Sequence, residues 1–215
     1  EIPLSIEEPE VTTAKLESNL FTTELASYST TGGGSEGRRT NISLAVQSCN
    51  GVILLPGETF SYNDVLGERT ADKGYQPAGA YSDGEVVEQL GGGICQVSST
   101  LFAAVLHTDL EIITRANHSM PVSYLPMGMD ATVSWGGPEF KFKNNFAYPI
   151  KISASYSGGT ITFKILGAAS DKKKIEVEIK KTGEMSAETY RKYYDENGNV
   201  TSTKRVARSN YKPHS

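Results

Sequence analysis

Gly91-Gly92-Gly93-Ile94-Cys95-Gln96-Val97-Ser98-Ser99-Thr100-Leu101 sets three glycines directly before a segment with helical spacing, and the reading of the whole chain turns on it. From Cys95 to about His107, the residues Val97, Leu101, Ala104 and Val105 fall on one apolar stripe, so the spacing predicts a helix packed on a core. The glycines allow backbone conformations closed to other residues and let another group approach closely. Cys95 then lies in the first helical turn, where unpaired N–H groups and the helix dipole favour a thiolate. Such a placement lowers a thiol pKa from ~8.5 into a range of about 3.5 to 7.5, which provides a nucleophile near neutral pH. The other reading of the same cysteine is a small buried hydrophobe behind a tight turn.

A base and its orienting group follow in the chain. Ile112 to Ser119 reads as a strand ending in a polar turn, and His118 comes 23 residues after Cys95. A 13-residue helix is ~20 Å long, and a returning strand of six or seven residues covers a similar distance, so His118 comes back to the helix start. Asp130 is the next carboxylate and is placed to hold the imidazole through Nδ1, as the third member of a triad does. Asn117 points away from it in an extended segment. Each residue also has a plain structural reading: His118 bonding a backbone carbonyl, Asp130 in a turn after Gly128. His107 is expected to complement the helix C-terminus. Gln96 and Gln89 are candidate oxyanion donors. Arg69 and Arg115 have the fork that binds a substrate carboxylate, or else they make internal ion pairs. Gly92 and Gly93 complete the expected substrate-binding set with Gln96, Arg69 and Arg115, and Trp135 is expected in the core.

Outward from this segment the chain is rich in turns and short alternating runs. Lys141-Phe142-Lys143, Ile150 to Ala154, Thr160 to Ile165 and Lys174 to Lys180 alternate like antiparallel strands. A terminal hairpin is expected from Thr189–Tyr194 and Val200–Val206, turning at Glu196-Asn197-Gly198. Pro56 to Asn63 reads as a turn and a polar strand, followed by a loop through Gly67 to Tyr75. One further helix is expected, capped by Asn41, carrying Ile42, Leu44, Ala45, Val46 and Cys49, and stopped at Gly51. The expected fold class is therefore α+β, mainly antiparallel sheet around a central helix starting at Cys95, with a C-terminal hairpin extension.

Composition narrows the function. With 215 residues, 38% of them hydrophobic, the chain has ample material for a core, and no apolar run reaches the ~20 residues of a membrane span. A net charge of −4 leaves no basic stripe for nucleic acid. The charge is uneven, with eleven Lys/Arg against seven Asp/Glu in residues 171–215. That marks a boundary near Gly167 and suggests either a solvated hairpin face or attraction to anionic wall polymers or lipid headgroups. Two cysteines cannot form a disulfide framework, although a single Cys49–Cys95 bridge stays open, and Cys49 reads as core. His107, His118 and His214 do not cluster with the cysteines, so neither a metal nor another cofactor is expected. Any export signal or anchor is expected outside this chain.

Long ordered motifs give the chain a resemblance. Arg39-Thr40-Asn41-Ile42, Pro56 to Asn63, Gly67-Glu68-Arg69-Thr70, Gly91 to Phe102, Arg115, His118-Ser119, Gly128, Asp130 to Val133 and Phe140 to Asn145 together resemble the VanW family of Gram-positive cell-envelope proteins. The resemblance covers about residues 21–167. It implies that residues 1–20 close a preceding peptidoglycan-binding domain or linker and that 168–215 form a strand-rich extension. It further implies an extracytoplasmic setting and a link to vancomycin-type resistance. Two functions are compatible with the residues. One is a thiol peptidase or transpeptidase acting on peptidoglycan peptides through Cys95, His118 and Asp130. The other is a noncatalytic peptidoglycan-binding or envelope scaffold module in which Cys95 is packing. The expected partner in either case is peptidoglycan or its stem peptides.

Overall fold

Every strand pairing among the described residues is antiparallel, and the sheets differ chiefly in how their faces are used. The structure, a computed structural model, describes residue 17, residues 20–82 and residues 85–213. The expected domain end in residues 1–20 falls almost wholly outside these, as does His214. The described elements run β1 (Thr23–Thr31), α1 (Glu36–Cys49), β2 (Ile53–Leu54), β3 (Thr59–Ser61), α2 (Tyr62–Leu66), β4 (Pro77–Ser82), β5 (Glu85–Leu90) and α3 (Ile94–Leu106). They continue with β6 (Glu111–Thr114), β7 (Lys141–Lys143), β8 (Ile150–Ser157), β9 (Thr160–Gly167), β10 (Lys174–Gly183), β11 (Ser186–Tyr194) and β12 (Val200–Asn210). This is the α+β class read from the sequence.

A four-stranded sheet in the order β1-β9-β8-β2 forms one wall of the core. Its central hairpin turns through Gly158 and Gly159, both at positive φ, which matches the right-handed twist of the flanking strands. Alternation then sends Ile150, Ile152, Ile161, Phe163 and Ile165 inward, all fully buried. On that face α3 packs against β1 and β9, and α1 packs against β8. Elsewhere Phe102 of α3 meets Phe140 edge-on at 5.4 Å, and Phe140 lies 5.6 Å from Phe142 in the sheet β3-β7-β6. The third sheet, β10-β11-β12, is the C-terminal extension, and β4-β5 is a separate hairpin.

Several local readings change. The central helix has more than one apolar stripe to bury: every residue from Gln96 to Leu106 is buried, hydroxyl residues included. Helix α1 begins six residues earlier than expected, capped by Ser35, whose hydroxyl accepts from the Arg38 N–H. Asn41 is inside that helix and fully buried, holding Gln76 through both its N–H and its carbonyl and donating to Gly92 O at 3.0 Å. A polar residue that resembled a cap is a tertiary tie. The Pro56–Asn63 segment ends in a short helix, α2, because Ser61 caps it by accepting from Asp64 N–H and Tyr62 is drawn fully into the core. The stretch from Gly67 to Tyr75 is the expected loop, and the β4-β5 hairpin follows it before the glycine turn. The last hairpin turns over Asp195–Asn199, around the expected Glu196-Asn197-Gly198, with Asp195 accepting from the Asn199 and Gly198 N–H groups.

The C-terminal sheet is tied to the central helix by one buried cation. Arg191 donates to the carbonyls of Val105, Leu106 and Leu110, each at 2.9 Å, and so satisfies the end of α3. His107, at that end, bonds Ala103 O at 2.8 Å and stacks on Tyr28.

Candidate active site

The start of α3 is set by the glycine turn. Gly91 and Gly93 have φ of 82° and 107°, values that side chains disfavour, and Gly93 is the N-cap without any side-chain cap. Gly92 lies so close to the Ala78 carbonyl that a Cβ there would collide with it. The turn is fastened by Asn41, by Gly91 N–H to Gln76 O at 3.2 Å, and by Tyr62, whose hydroxyl donates to Ile94 O at 3.1 Å. Of the first three helical N–H groups, Ile94 bonds Gly91 O and Gln96 bonds Gly93 O, while Cys95 has no backbone acceptor among the described residues. Cys95 is the one residue of α3 that is not fully buried, and it opens into a cleft of about 920 Å³.

Serines on α3 place the opposite wall. Ser98 donates to Ala131 O at 2.6 Å, and Ser99 both donates to that carbonyl and accepts from Ala131 N–H. The segment Asp130–Val133 is thereby held along the helix. It is bridged in turn to the chain after β6, where Thr132 N–H donates to Ala116 O at 2.9 Å. These two ties bring Cys95, His118 and Asp130 to one place although they are far apart in sequence. The Cys95 sulfur lies 3.3 Å from Val133 O and 3.8 Å from Thr132 Oγ1. His118 Nδ1 is 2.7 Å from Asp130 Oδ2, which also accepts from the His118 backbone N–H at 2.7 Å. The other ring nitrogen, Nε2, is left free of that bond, and the His118 ring borders the same cleft as Cys95.

Asp130 is fully buried, and its second oxygen is filled as well. Oδ1 accepts from Arg115 at 3.0 Å and from the Tyr211 hydroxyl at 2.5 Å, while Arg115 Nε donates to Asp130 O at 2.6 Å. Burial alone pushes this carboxyl up, but the His118 bond, the Arg115 charge and the Tyr211 bond outweigh it and hold Asp130 below the usual carboxylate range. Burial likewise opposes charge on His118, yet its bonds to Asp130 and Cys95 raise it to about 9. For Cys95, burial raises the thiol, and the bond to and charge of His118, then Val133 and Thr132, bring it below its ordinary value. The arrangement favours a thiolate beside an imidazolium. It has the parts of a nucleophile, a proton carrier and an orienting carboxylate.

The other expected residues have other surroundings. Arg115 faces Asp130, Ser209 and the Phe102 ring, so its guanidinium serves the carboxylate and not the cleft. Arg69 borders the cleft with its guanidinium bonded to Gly67 O and Asn63 Oδ1. Gln96 borders it too, but donates to Thr30 Oγ1 and accepts from Arg38, so its amide is already engaged. Gln89 lies exposed on β5 at the rim. Cys49 is fully buried in the core, burial pushes its thiol up, and both cysteines are free. Trp135 is not in the core: it is 52% exposed on the cleft wall, because Gly136-Gly137-Pro138 carries the chain outward after Val133. Tyr211 has no local sign in the sequence, since it lies 81 residues from Asp130, just after β12.

Comparison with known proteins gives the family. A family model described as VanW like protein matches residues 37–166. The "Uncharacterized protein YoaR" of Bacillus subtilis is 44% identical over 165 residues, 74% of this chain and 54% of that protein. The "Vancomycin B-type resistance protein VanW" of Enterococcus faecalis is 35% identical over 135 residues, 59% of this chain and 49% of that protein. The chain spans about half the length of these relatives. No solved structure matches. Cys95, His118 and Asp130 fall inside the stretch the family model matches, whereas Arg191 and Tyr211 lie beyond it.

Proposed function

The chain belongs to the VanW-like family, and from that premise we propose that it is an extracytoplasmic thiol peptidase or transpeptidase acting on peptidoglycan peptides. The observation that carries the reading is that Cys95 and a His118 held by Asp130 through Nδ1 line one cleft at a helix start without a side-chain cap. The name of the Enterococcus relative supports a place for this chemistry in glycopeptide resistance.

In the proposed reaction the Cys95 thiolate attacks the carbonyl carbon of an amide. A C–S bond forms, and the carbonyl π electrons move to oxygen. The Cys95 N–H, which has no backbone acceptor among the described residues, is a donor for that oxyanion, and the N-terminal end of the helix dipole favours its charge. Collapse of the intermediate breaks the C–N bond while the His118 imidazolium gives its proton to the leaving amine. The thioester is then taken by water or by a second amine, with neutral His118 removing the proton of the attacking group. Asp130 holds the ring so that Nε2 stays toward sulfur. Trp135, exposed on the cleft wall, offers a flat apolar face to the substrate.

The test is incubation with defined muropeptides followed by intact-protein mass spectrometry. A thioester adduct on Cys95, absent in Cys95→Ala, and release of the cleaved amine are the expected results. Saturable binding without an adduct, together with a Cys95 alkylation rate indifferent to His118→Ala, identifies a noncatalytic wall-binding module instead.

A further inference from the structure

The carboxylate that orients His118 is completed by a segment outside the family-matched stretch. Tyr211 follows β12, and its hydroxyl accepts from the Gly128 N–H at 2.6 Å. With that lone pair occupied, its own hydrogen is directed to Asp130 Oδ1 at 2.5 Å. The segment around it is pinned to the chain on both sides of His118. Lys212 N–H donates to Ser119 O at 2.6 Å, and Asn117 Nδ2 donates both to His118 O and to Asn210 O at 2.7 Å. Tyr211 N–H in turn bonds Met185 O at 2.8 Å. Ser209, two residues earlier, accepts from Arg115 at 2.7 Å, so the same strand end also fixes the cation that shares Oδ1.

We propose that Tyr211 is a positioning residue of the Cys95 site, acting through Asp130: its hydroxyl takes up charge at Oδ1 and so sets how tightly His118 holds its proton. The proposal rests on the reading of Cys95 as a thiolate assisted by His118. The ionisable groups that face the pair are Arg115 from the chain after β6, Cys95 of α3, Tyr124 of the intervening loop and Tyr211 itself. A carboxylate that loses a donor becomes more basic, and an imidazolium beside it becomes more stable. Replacing the hydroxyl therefore lowers the pH at which the thiolate appears and raises the pH at which His118 loses its proton.

The experiment measures the iodoacetamide rate at Cys95 against pH in the full chain, with the modified residue identified by peptide mass spectrometry. Tyr211→Phe keeps the ring and is expected to move the midpoint down by about half a pH unit. Tyr193→Phe is the control, since the Tyr193 hydroxyl donates to Asp109 Oδ1 at 2.7 Å in the same sheet but at the far end of α3. It is expected to leave the midpoint in place. The His118 ring titration, followed by NMR in the same chain, is expected to rise in Tyr211→Phe and provides an independent readout. His118→Ala moves the midpoint up toward a free thiol when the underlying reading holds, and its failure to do so overturns that reading and this proposal together. If His118→Ala shifts the midpoint upward while Tyr211→Phe leaves it within about 0.2 unit, or shifts it upward too, the positioning role alone is overturned. An equal shift in Tyr193→Phe overturns it as well, because the effect is then loosening of the sheet.

Discussion

The two ends of α3 are finished in opposite ways. At the C-terminal end Arg191 supplies three donors to three carbonyls. At the N-terminal end the cap is a glycine with no side-chain hydrogen bond, and a half-buried cysteine lies next to a cavity. Both ends present the partial charge of the helix dipole, yet only one has it neutralised from within the protein. The difference separates support from chemistry. A helix held firmly by its negative end and left open at its positive end gives an anionic sulfur, or an anionic intermediate, a fixed place to form.

That contrast is open to direct attack. The largest expected effect is Asp130→Ala, which leaves Arg115 and a charged His118 buried without their partner and costs about 3 to 5 kcal/mol in urea unfolding. It also removes the depression of the Cys95 thiol, as read by alkylation. Next is Arg191→Met at the closed end, which removes three buried hydrogen bonds, with only Val105 O keeping donors from Thr108, and costs about 3 kcal/mol by the same measurement. Cys95 sits about 15 Å or more away along the helix, so the alkylation midpoint is expected to move by less than about 0.3 unit. A large shift there breaks the separation between the two ends.

Gly92→Ala sharpens the contrast from the open end. Its Cβ runs into the Ala78 carbonyl, so a loss of about 1 to 3 kcal/mol is expected, with slower alkylation of Cys95 as the turn shifts. The acid limb of the stability curve reads Asp130. Its folded pKa is lowered, so its stabilising contribution is complete above about pH 4 and is lost as pH falls through the folded value. His118 is raised to about 9, so its contribution is complete below about pH 6.5 and is lost as pH rises through about 9. Thermal melts across pH are expected to show a steep acid loss in the native chain and a shallower one in Asp130→Asn. Smallest is Trp135→Ala, expected to change stability by no more than about 0.5 kcal/mol, since half its surface already meets solvent.

What the sequence could disclose followed from how local each signal is. The glycines before Cys95, the alternation of β8, β9 and β10, and the buried Cys49 are all carried by neighbours in the chain, and the structure has them. The long reach from Cys95 to His118 was open to estimation because a helix and a returning strand have fixed rises. Asn41 and Arg115 were ambiguous because a polar side chain that caps, binds or ties looks the same until its partner is placed. Asn41 holds Gln76 and Gly92, and Arg115 holds Asp130. Trp135 misled because size and apolarity argue for burial, while the glycines after it turn the chain outward. Tyr211 and Arg191 had no local signal at all, since each meets its partner from more than 80 residues away.

Trp135 is also the single tryptophan of the chain. Its position on the cleft wall makes intrinsic fluorescence a site-specific reporter in the unlabelled protein. Occupancy beside Cys95 dries and shifts one emitter, and the signal needs no deconvolution from others. A candidate ligand can therefore be ranked by emission alone, before any turnover is sought.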